Sequence, residues 1–243
     1  MPNKTKTNRS KFNLKKLSRL FLKAMLWFFA ISIFWVLLYK FINPPITYLM
    51  VERGFERKFE GKDWKIDKKW KNFDELSLNL KKAAIAGEDA RFISHHGFDF
   101  EAIEKAYDKN KQGKKMRGGS TISQQTAKNV FLWSGRSYIR KGFEAYFTFL
   151  IELFWSKKRI LEVYLNMIEM GDGIYGAEQA CQTYYGKSAD NLSKGQAALL
   201  IAVLPNPLKW SPAHPTAYIY HRQYLILRNI ANLERLGVLK NAF

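Results

Sequence analysis

The sequence is poor in cysteine, in acidic residues and in alternating apolar patterns. Its single cysteine, Cys181, excludes an internal disulfide and leaves no partner for a thiolate metal site. Acidic residues number 21 against 40 lysines and arginines, which gives a formal charge of +19. A strand-like alternation of apolar and polar residues is nearly absent, and no internal repeat is present. These absences exclude a disulfide scaffold and a repeat array, and they predict an all-α domain.

The positive charge is concentrated at the amino terminus. The first 23 residues contain eight lysines or arginines and no acid, which leaves +11 for the rest of the chain. Such a balance favours anionic partners, which include nucleic acid, anionic lipid and phosphorylated substrates. Charge alone does not choose among them.

A long apolar run follows this basic tail. Residues 24–39 (AMLWFFAISIFWVLLY) carry no charge, and the flanking Lys23 and Lys40 extend the span to about 20 residues, the hydrocarbon width of a bilayer. No small-x-small cleavage site follows, so we expect an uncleaved anchor rather than a signal peptide. The cations before the span favour a cytoplasmic amino terminus, with the bulk of the chain outside the plasma (inner) membrane.

Hydrophobic residues make up 47% of the full sequence, so the part of the chain after the anchor can bury one full-sized core. The predicted organisation is a basic cytoplasmic tail (1–23), a transmembrane anchor (24–42), a connector with one short helix (43–71) and a catalytic-sized domain (72–243). Helices are predicted from Asn72 through Phe92, from Ser120, from Ser137 through Trp155, after Ser156, and from Leu192 to Leu204.

The stretch RGGSTISQQTAKN (residues 117–129) combines two glycines, small polar side chains and a lysine. The glycines allow the backbone to approach a ligand closely, and the amides at the start of a helix beginning at Ser120 favour an anion. Ser120, Gln124 and Lys128 are four residues apart, so they form one polar stripe on that helix. The spacing is not that of a Walker loop. An ordinary capped and solvated helix is the alternative.

A second stretch, GEDARFISHHGFD (residues 87–99), places Glu88 and Asp89 at the end of an Ala- and Ile-rich helix. Apolar neighbours there can desolvate a carboxylate, which would suit a general base. The adjacent His95 and His96 would suit zinc only if they converged on one ion, which neighbours on a loop do not do. A structural role for His95 is therefore favoured.

A third stretch, SYIRKGFEAYFTFLIELFW (residues 137–155), has an apolar arc that runs from Ile139 to Phe154. Arg140 falls inside this arc and Glu144 lies at its edge, so both are expected to be partly buried. Two interpretations remain open: a buried salt bridge, and a site in which both side chains face a cleft. Apolar side chains outside the arc predict a surface that meets other helices or lipid, namely Tyr138, Phe149 and Leu153.

Cations surround these carboxylates in the sequence. A pyrophosphate leaves as a stable anion, so its displacement needs cations and one base but no strong general acid. A glycoside hydrolase of the usual kind needs a carboxylic acid to protonate the leaving sugar. The sequence offers the first set, with the cations Arg117, Lys128, Arg136, Arg140 and Lys141.

Five stretches together resemble, in order and spacing, the five motifs of the peptidoglycan glycosyltransferase family (family 51), especially its monofunctional biosynthetic members. The resemblance extends from Leu78 to Pro212 and implies a lysozyme-like α-helical fold, with a head lobe and a jaw lobe against the membrane. The stretches are EDARFISHHG (88–97), RGGSTISQQTAKN (117–129), RSYIRKGFE (136–144), KKRILEVYLN (157–166) and GDGIYGAEQACQTYYGK (171–187).

The resemblance implies polymerisation of lipid II, in which the growing glycan chain on undecaprenyl pyrophosphate is transferred with inversion to the 4-hydroxyl of the next lipid II. By position, Glu88 matches the catalytic base. Glu144 matches a second essential glutamate, which supports the pyrophosphate directly or through a divalent cation such as Mg²⁺. No other cofactor is implied. Lys128 and Arg136 match ligands of the donor pyrophosphate.

Other positions match the motifs in supporting roles. Cations beside the pyrophosphate ligands are Arg140, Lys141 and Arg117; residues that shape the cleft are Ser120, Thr121, Gln124, Gln125 and Asn129. Structural positions of the motifs are Asp89, Phe92, His95, Gly97, Gly118 and Gly119. Two departures are small: Gly87 replaces the usual Ala or Ser, which is expected to loosen the helix end, and Gln196 replaces a frequent Glu.

Bifunctional relatives also carry a transpeptidase domain, but the sequence contains no Ser-x-x-Lys or Lys-Thr-Gly, so we expect no cross-linking activity. Expected partners are lipid II, the lipid-linked glycan chain and membrane lipids; other cell-wall synthesis and division proteins are left open. Nucleic acid is not expected, since the cations near the motifs alternate with carboxylates and aromatics. The alternatives are a lytic enzyme of lysozyme-like fold, with Glu88 as an acid, and a catalytically inactive membrane scaffold.

Overall fold

The computed structural model describes residues 14–102, 104, 119–135 and 137–239, which are mainly helical. This confirms the predicted helical class. The helices used below are α1 (Leu14–Phe41), α2 (Tyr48–Phe59), α3 (Leu78–Glu88), α4 (Ile122–Phe131), α5 (Tyr138–Phe154), α6 (Lys157–Met167), α7 (Ala177–Tyr185), α8 (Lys194–Ala202) and α9 (Ala217–Arg235).

A small sheet, which the sequence did not predict, supplements the helices. It consists of β1 (Asp67–Lys68), β2 (Glu169–Gly171) and β3 (Ile174–Tyr175), with β3 in the centre. The strand β1 is parallel to β3, and β2 is antiparallel to it. Strands of two or three residues are too short to show an alternating pattern in the sequence.

Serine side chains start several helices as predicted. Ser137 and Ser156 accept hydrogen bonds from the third amide of α5 and of α6, so both predicted starts are confirmed. Ser193 caps α8, where Gln196 closes a capping box by accepting from the Ser193 amide. The helix expected over Leu192–Leu204 is therefore confirmed with narrower bounds.

Two predicted helix starts are wrong. Asn72 caps only a 3-10 helix (Phe73–Glu75), and the chain becomes extended before Ser77 caps α3. Thr121, rather than Ser120, caps α4, because its hydroxyl and the Gln124 side chain form a capping box.

The predicted end of the first of these helices is also wrong. Helix α3 stops at Glu88 instead of continuing to Phe92, since the Asp89 backbone turns out of the helical region. This early stop places Glu88 at a helix end beside the start of the next motif.

The helices pack as two groups around one continuous apolar core. In the first group α3 lies against α8 and α9, and in the second α4 lies between α5 and α6. Gly87 allows the close approach in the first group, because a Cβ there would lie 2.8 Å from Ile201 and 3.2 Å from Ile226. The close packing of these helices therefore explains why position 87 is a glycine. The largest fully buried side chains include Tyr164, Phe92, Leu80, Ile85, Ile122 and Ile151.

The apolar amino-terminal run is part of a longer helix. A candidate membrane span covers Lys15–Phe41, and an 18-residue window within it has a mean hydropathy of 2.1. Its second half packs on α5, where the Ser32 and Tyr146 hydroxyls are 2.6 Å apart and the Trp155 indole N–H donates to the Val36 carbonyl at 2.8 Å. The anchor is therefore continuous with the core of the domain.

Candidate active site

A cavity of about 800 Å³ opens between the two groups of helices. Its wall combines carboxylates, amides and cations from four helices with the loop after α8. The lining residues are Gly87, Glu88, Gly119, Ser120, Gln124, Gln125, Lys128, Glu144, Leu204, Pro205, Asn206, Trp210, Tyr218 and Arg222. Seven of the predicted site residues thus line one cavity, namely Glu88, Gly119, Ser120, Gln124, Gln125, Lys128 and Glu144.

Glu88 is the carboxylate at the end of α3, and its side chain is only 12% exposed. The Gln125 amide donates to Glu88 Oε2 at 2.9 Å, and the Arg222 guanidinium lies 4.0 Å from Oε1. Burial raises the pKa of Glu88, although the Gln125 hydrogen bond and the Arg222 charge oppose this shift. A carboxylate with a raised pKa is a stronger base when ionised.

Asp89 ties this helix end to the start of α4. Its carboxylate accepts from His95 Nε2 at 2.9 Å and from the Ile122 amide at 2.9 Å. The Gly97 amide donates to His95 Nδ1 at 3.1 Å, so the imidazole proton lies on Nε2 and points to Asp89. His95 and Asp89 therefore form a buried brace beside Glu88, and His96 is exposed.

Gly97 allows the loop after this brace to pack against α5. Its φ is +88°, and a Cβ would lie 2.8 Å from the Thr148 side chain. The Thr121 hydroxyl donates to the Gly97 carbonyl at 2.6 Å. Phe92 is fully buried, with the Lys157 ammonium 4.6 Å from its ring centroid. These contacts hold the two motifs at a fixed distance.

Lys128 projects from α4 towards the cavity. Among the described residues no carboxylate lies within ion-pair distance of its ammonium, and burial lowers its pKa. The charge of Glu144 opposes this shift, whereas the charges of Arg140 and Lys141 add to it. A half-buried ammonium among other cations is suited to binding an anion.

Glu144 is buried on α5 and carries two cationic partners. Arg140 Nη1 donates to Oε2 at 3.2 Å, and the Lys141 ammonium donates to Oε1. The side chains of Glu144 and Arg140 are 4% and 11% exposed. The predicted buried salt bridge is therefore confirmed, and Glu144 also lines the main cavity whereas Arg140 lines a neighbouring one.

The surroundings of Glu144 do not fit a resident divalent cation. Both of its oxygens accept from cations, and Lys128 adds a third positive charge nearby. Over the described part of the chain, no three His, Cys, Asp or Glu side chains are grouped as a metal site would need. This set of cations suits an anion.

The other predicted residues have mixed outcomes. Gly119 and Ser120 line the cavity as exposed residues before α4, and Gln124 is buried in the capping box. Asn129 is buried and lines a neighbouring cavity. Ile139, which was placed in the apolar arc of α5, is 72% exposed. Three positions lie outside the described residues, namely Arg117, Gly118 and Arg136.

Three residues of the site were not identified from the sequence. Arg222 reaches Glu88 from α9, and Arg53 lines the neighbouring cavity from α2. The Tyr164 hydroxyl donates to Gln125 Oε1 at 3.4 Å, which turns the Gln125 amide nitrogen towards Glu88. Tyr164 stands in a quoted motif, whereas no pattern in the sequence marks the two arginines.

The site combines a buried base, an ammonium that has no carboxylate partner among the described residues, and a second carboxylate held by cations. This combination fits a transferase whose substrate carries negative charge. The family model described as "Transglycosylase" matches residues 57–231. The chain therefore belongs to the transglycosylase family, and it is a peptidoglycan glycosyltransferase of cell-wall synthesis.

Curated relatives support this assignment over most of their length. A biosynthetic peptidoglycan transglycosylase of Pseudomonas fluorescens strain Pf-5 is 51% identical over 220 residues, which are 90% of this chain and 92% of the relative. The protein of the same description from Caulobacter vibrioides is 54% identical over 203 residues, 84% of this chain and 86% of the relative. A third, from Pseudomonas entomophila, is 52% identical over 220 residues.

Proposed function

We propose that this enzyme polymerises lipid II into linear glycan strands. The observation that carries the proposal is the arrangement of the main cavity, where a buried carboxylate, Glu88, shares one wall with the ammonium of Lys128, which forms no ion pair within the described part of the chain. Such a wall would bind a sugar carried on a pyrophosphate and activate the hydroxyl that attacks it. Membership of the family supports the same reaction class.

In this mechanism Glu88 removes the proton from the 4-hydroxyl of the incoming lipid II. The oxygen then attacks the anomeric carbon of the growing chain from the side opposite the pyrophosphate, so the configuration inverts. Gln125 holds the carboxylate in place through the hydrogen bond to Oε2. Since burial raises the pKa of Glu88, its ionised form has more driving force for proton transfer than an exposed glutamate.

The departing pyrophosphate is assigned to the cationic side of the cleft. Lys128 supplies a direct charge, and Arg140 and Lys141 are held beside it by their ion pairs with Glu144. Arg136, outside the described residues, belongs to the same group by its match to the motif. Because pyrophosphate is a stable leaving group, these cations replace a general acid.

The candidate membrane span and the exposed apolar side chains of α5 support a location of the protein at the membrane. The span Lys15–Phe41 is mostly exposed in its first half, and the exposed apolar side chains of α5 continue the apolar surface. We propose a single-pass protein of the inner membrane with its amino terminus in the cytoplasm and its catalytic domain outside. The growing chain and lipid II are both lipid-linked, so a site beside the membrane would reach both.

A lytic enzyme is the second candidate, because a raised pKa of Glu88 also suits a general acid. The cations around Glu144 favour the polymerase, since sugar hydrolysis creates no anion that needs them. Incubation of the purified enzyme with sacculi separates the two. We expect no release of muropeptides, and soluble muropeptides that depend on Glu88 would support the lytic reaction instead.

The decisive experiment is polymerisation of fluorescent lipid II by the full-length protein in detergent. We expect a ladder of glycan products from wild type and a loss of about 10³-fold in rate for Glu88→Gln, because a positioned base contributes on this scale. The matched control is Glu60→Gln, which removes an exposed carboxylate far from the cavity. Full activity of Glu88→Gln, or no product from folded wild type, would contradict the proposal.

A further inference from the structure

A second cavity, of about 360 Å³, lies beside the main one and shares Lys128 and Gln125 with it. Arg53 of α2 and Arg140 of α5 both line this second cavity. We propose that Arg53 binds a phosphate of the lipid-linked pyrophosphate, although it lies outside the sequence motifs of the site. This inference rests on the proposed function, since it assigns part of the same substrate to a further residue.

The first support is a pair of unused hydrogen-bond donors. Arg53 Nε and Arg140 Nε are buried, and neither has a hydrogen-bond partner among the described residues. Leaving a charged donor buried without an acceptor is costly. A ligand oxygen between the two guanidinium groups would remove this cost for both. Phosphate is suited to this role, because its several oxygens match the fork of guanidinium donors.

The second support is the charge balance of this cavity. Its lining has three cations, Arg53, Lys128 and Arg140, against one carboxylate, Glu169. Glu169 Oε2 lies 3.5 Å from Arg53 Nε, in ion-pair range but without a hydrogen bond. One carboxylate balances only one of these three positive charges. The cavity therefore favours an anion.

The third support is the rigid position of Arg53. The preceding residue, Glu52, accepts from both the amide and the hydroxyl of Ser134, each at 2.7 Å. This double hydrogen bond fixes α2 against the loop that leads into α5. Arg53 Nη1 also donates to Glu56 at 2.5 Å, which holds the guanidinium from the side of its own helix. A guanidinium fixed in this way loses little entropy when it binds a ligand.

The position along the chain indicates the source of the phosphate. Helix α2 begins at Tyr48, shortly after α1 ends at Phe41, so Arg53 is only 12 positions beyond the candidate membrane span along the chain. Lys128 lines both cavities. A pyrophosphate bound at Lys128 would therefore have one phosphate in the main cavity and the other, on the lipid side, near Arg53 and Arg140.

Competition by inorganic pyrophosphate tests this assignment in full-length enzyme in detergent. We expect the pyrophosphate concentration that halves lipid II polymerisation to rise about tenfold for Arg53→Gln, as the loss of one charge-assisted contact implies. Lys58→Gln is the matched control, because it removes an exposed cation from the same helix. It should leave this concentration unchanged.

A second variant distinguishes binding from folding. Arg53→Lys keeps the charge near Glu56 and Glu169 but removes the Nε donor, so we expect a wild-type melting temperature with weakened pyrophosphate inhibition. Wild-type inhibition in both Arg53 variants, in enzyme that still polymerises lipid II, would overturn the inference alone. An absence of polymer from wild type would instead contradict the proposed function.

Discussion

Folding and the proposed catalysis favour different protonation states of Glu88. Burial raises its pKa, which means that the folded state favours the protonated carboxyl more than the unfolded state does. Its contribution to stability is therefore complete below the unfolded pKa and is lost as the pH rises through the folded pKa. The ionised form that the proposed base requires is thus the form that destabilises the fold.

The variant Glu88→Gln should consequently be more stable than wild type at neutral pH. The amide has no proton to lose, and it can still form a hydrogen bond with Gln125. We expect the melting temperature of the variant to exceed that of wild type by an amount that grows as the pH rises above about 4, the value near which an unfolded glutamate ionises. Thermal unfolding in detergent measures it, and a constant or inverted difference would contradict the burial argument.

The pKa of Lys128 is shifted in the opposite direction to that of Glu88. Burial lowers its pKa, so it loses its charge at a lower pH than an exposed lysine does. We expect the KM for lipid II to rise on the alkaline side as the ammonium is deprotonated. Lys128→Arg keeps its charge at every accessible pH and should remove this rise. Steady-state kinetics between about pH 7 and pH 10 compare the two, and identical profiles would show that another group titrates.

The contact between the carboxyl end of α1 and the rest of the domain depends on one side chain. Arg159 of α6 donates to the Tyr39 and Ile42 carbonyls at the end of α1, in each case at 2.9 Å from Nη2. It also donates to Asn43 and Glu162 through Nη1, at 2.9 Å and 2.8 Å. A cation at the carboxyl end of a helix satisfies free carbonyls and interacts favourably with the helix dipole. Arg159 thus fixes the angle at which the anchor enters the domain.

Arg159→Ala should lower the free energy of unfolding by about 2 kcal/mol, because it removes several charge-assisted hydrogen bonds at a nearly buried position. The matched control is its neighbour Lys158, which is exposed, forms a surface ion pair with Asp74 and lies 5.0 Å from the centroid of the Phe73 ring. Lys158→Ala should leave the melting temperature close to that of wild type. Equal effects of the two substitutions would show that Arg159 does not have this structural role.

In the molecule as a whole, many of the exposed apolar side chains lie on α1 and α5. Phe21 and Trp27 of the anchor are 69% and 68% exposed, and Tyr138 and Leu153 of α5 are 99% and 60% exposed. Continuous patches of this kind mark a contact with membrane or with another protein. Because the carboxyl half of α1 packs on α5, the domain is expected to remain at the membrane surface rather than move freely on a tether.

The proposed orientation is testable by cysteine labelling. The native Cys181 is buried and gives a low background. In intact spheroplasts an impermeant maleimide should react with Asn191→Cys, an exposed position of the domain, and should reach Ser10→Cys in the basic tail only after lysis. Labelling of Ser10→Cys in intact cells, with protection of Asn191→Cys, would reverse the topology.

The sequence by itself determined the features that depend on neighbouring residues. The charge-free run predicted the amino-terminal helix, the serines at 137 and 156 predicted helix starts, and the spacing of the motifs indicated the family. The pair formed by Arg140 and Glu144 was also predictable, because residues four apart on a helix are neighbours. In each case the physical cause acts within a few residues along the chain.

Only the tertiary structure decided which distant groups meet. The pairing of β1 with β3, the contact of Arg222 with Glu88 and the placement of Arg53 beside Lys128 join residues that are 107, 134 and 75 positions apart, with no repeating pattern between them. Such contacts depend on how the helices cross and on the space that residues such as Gly87 leave open. Local propensity does not encode this geometry, because it results from the packing of the whole core.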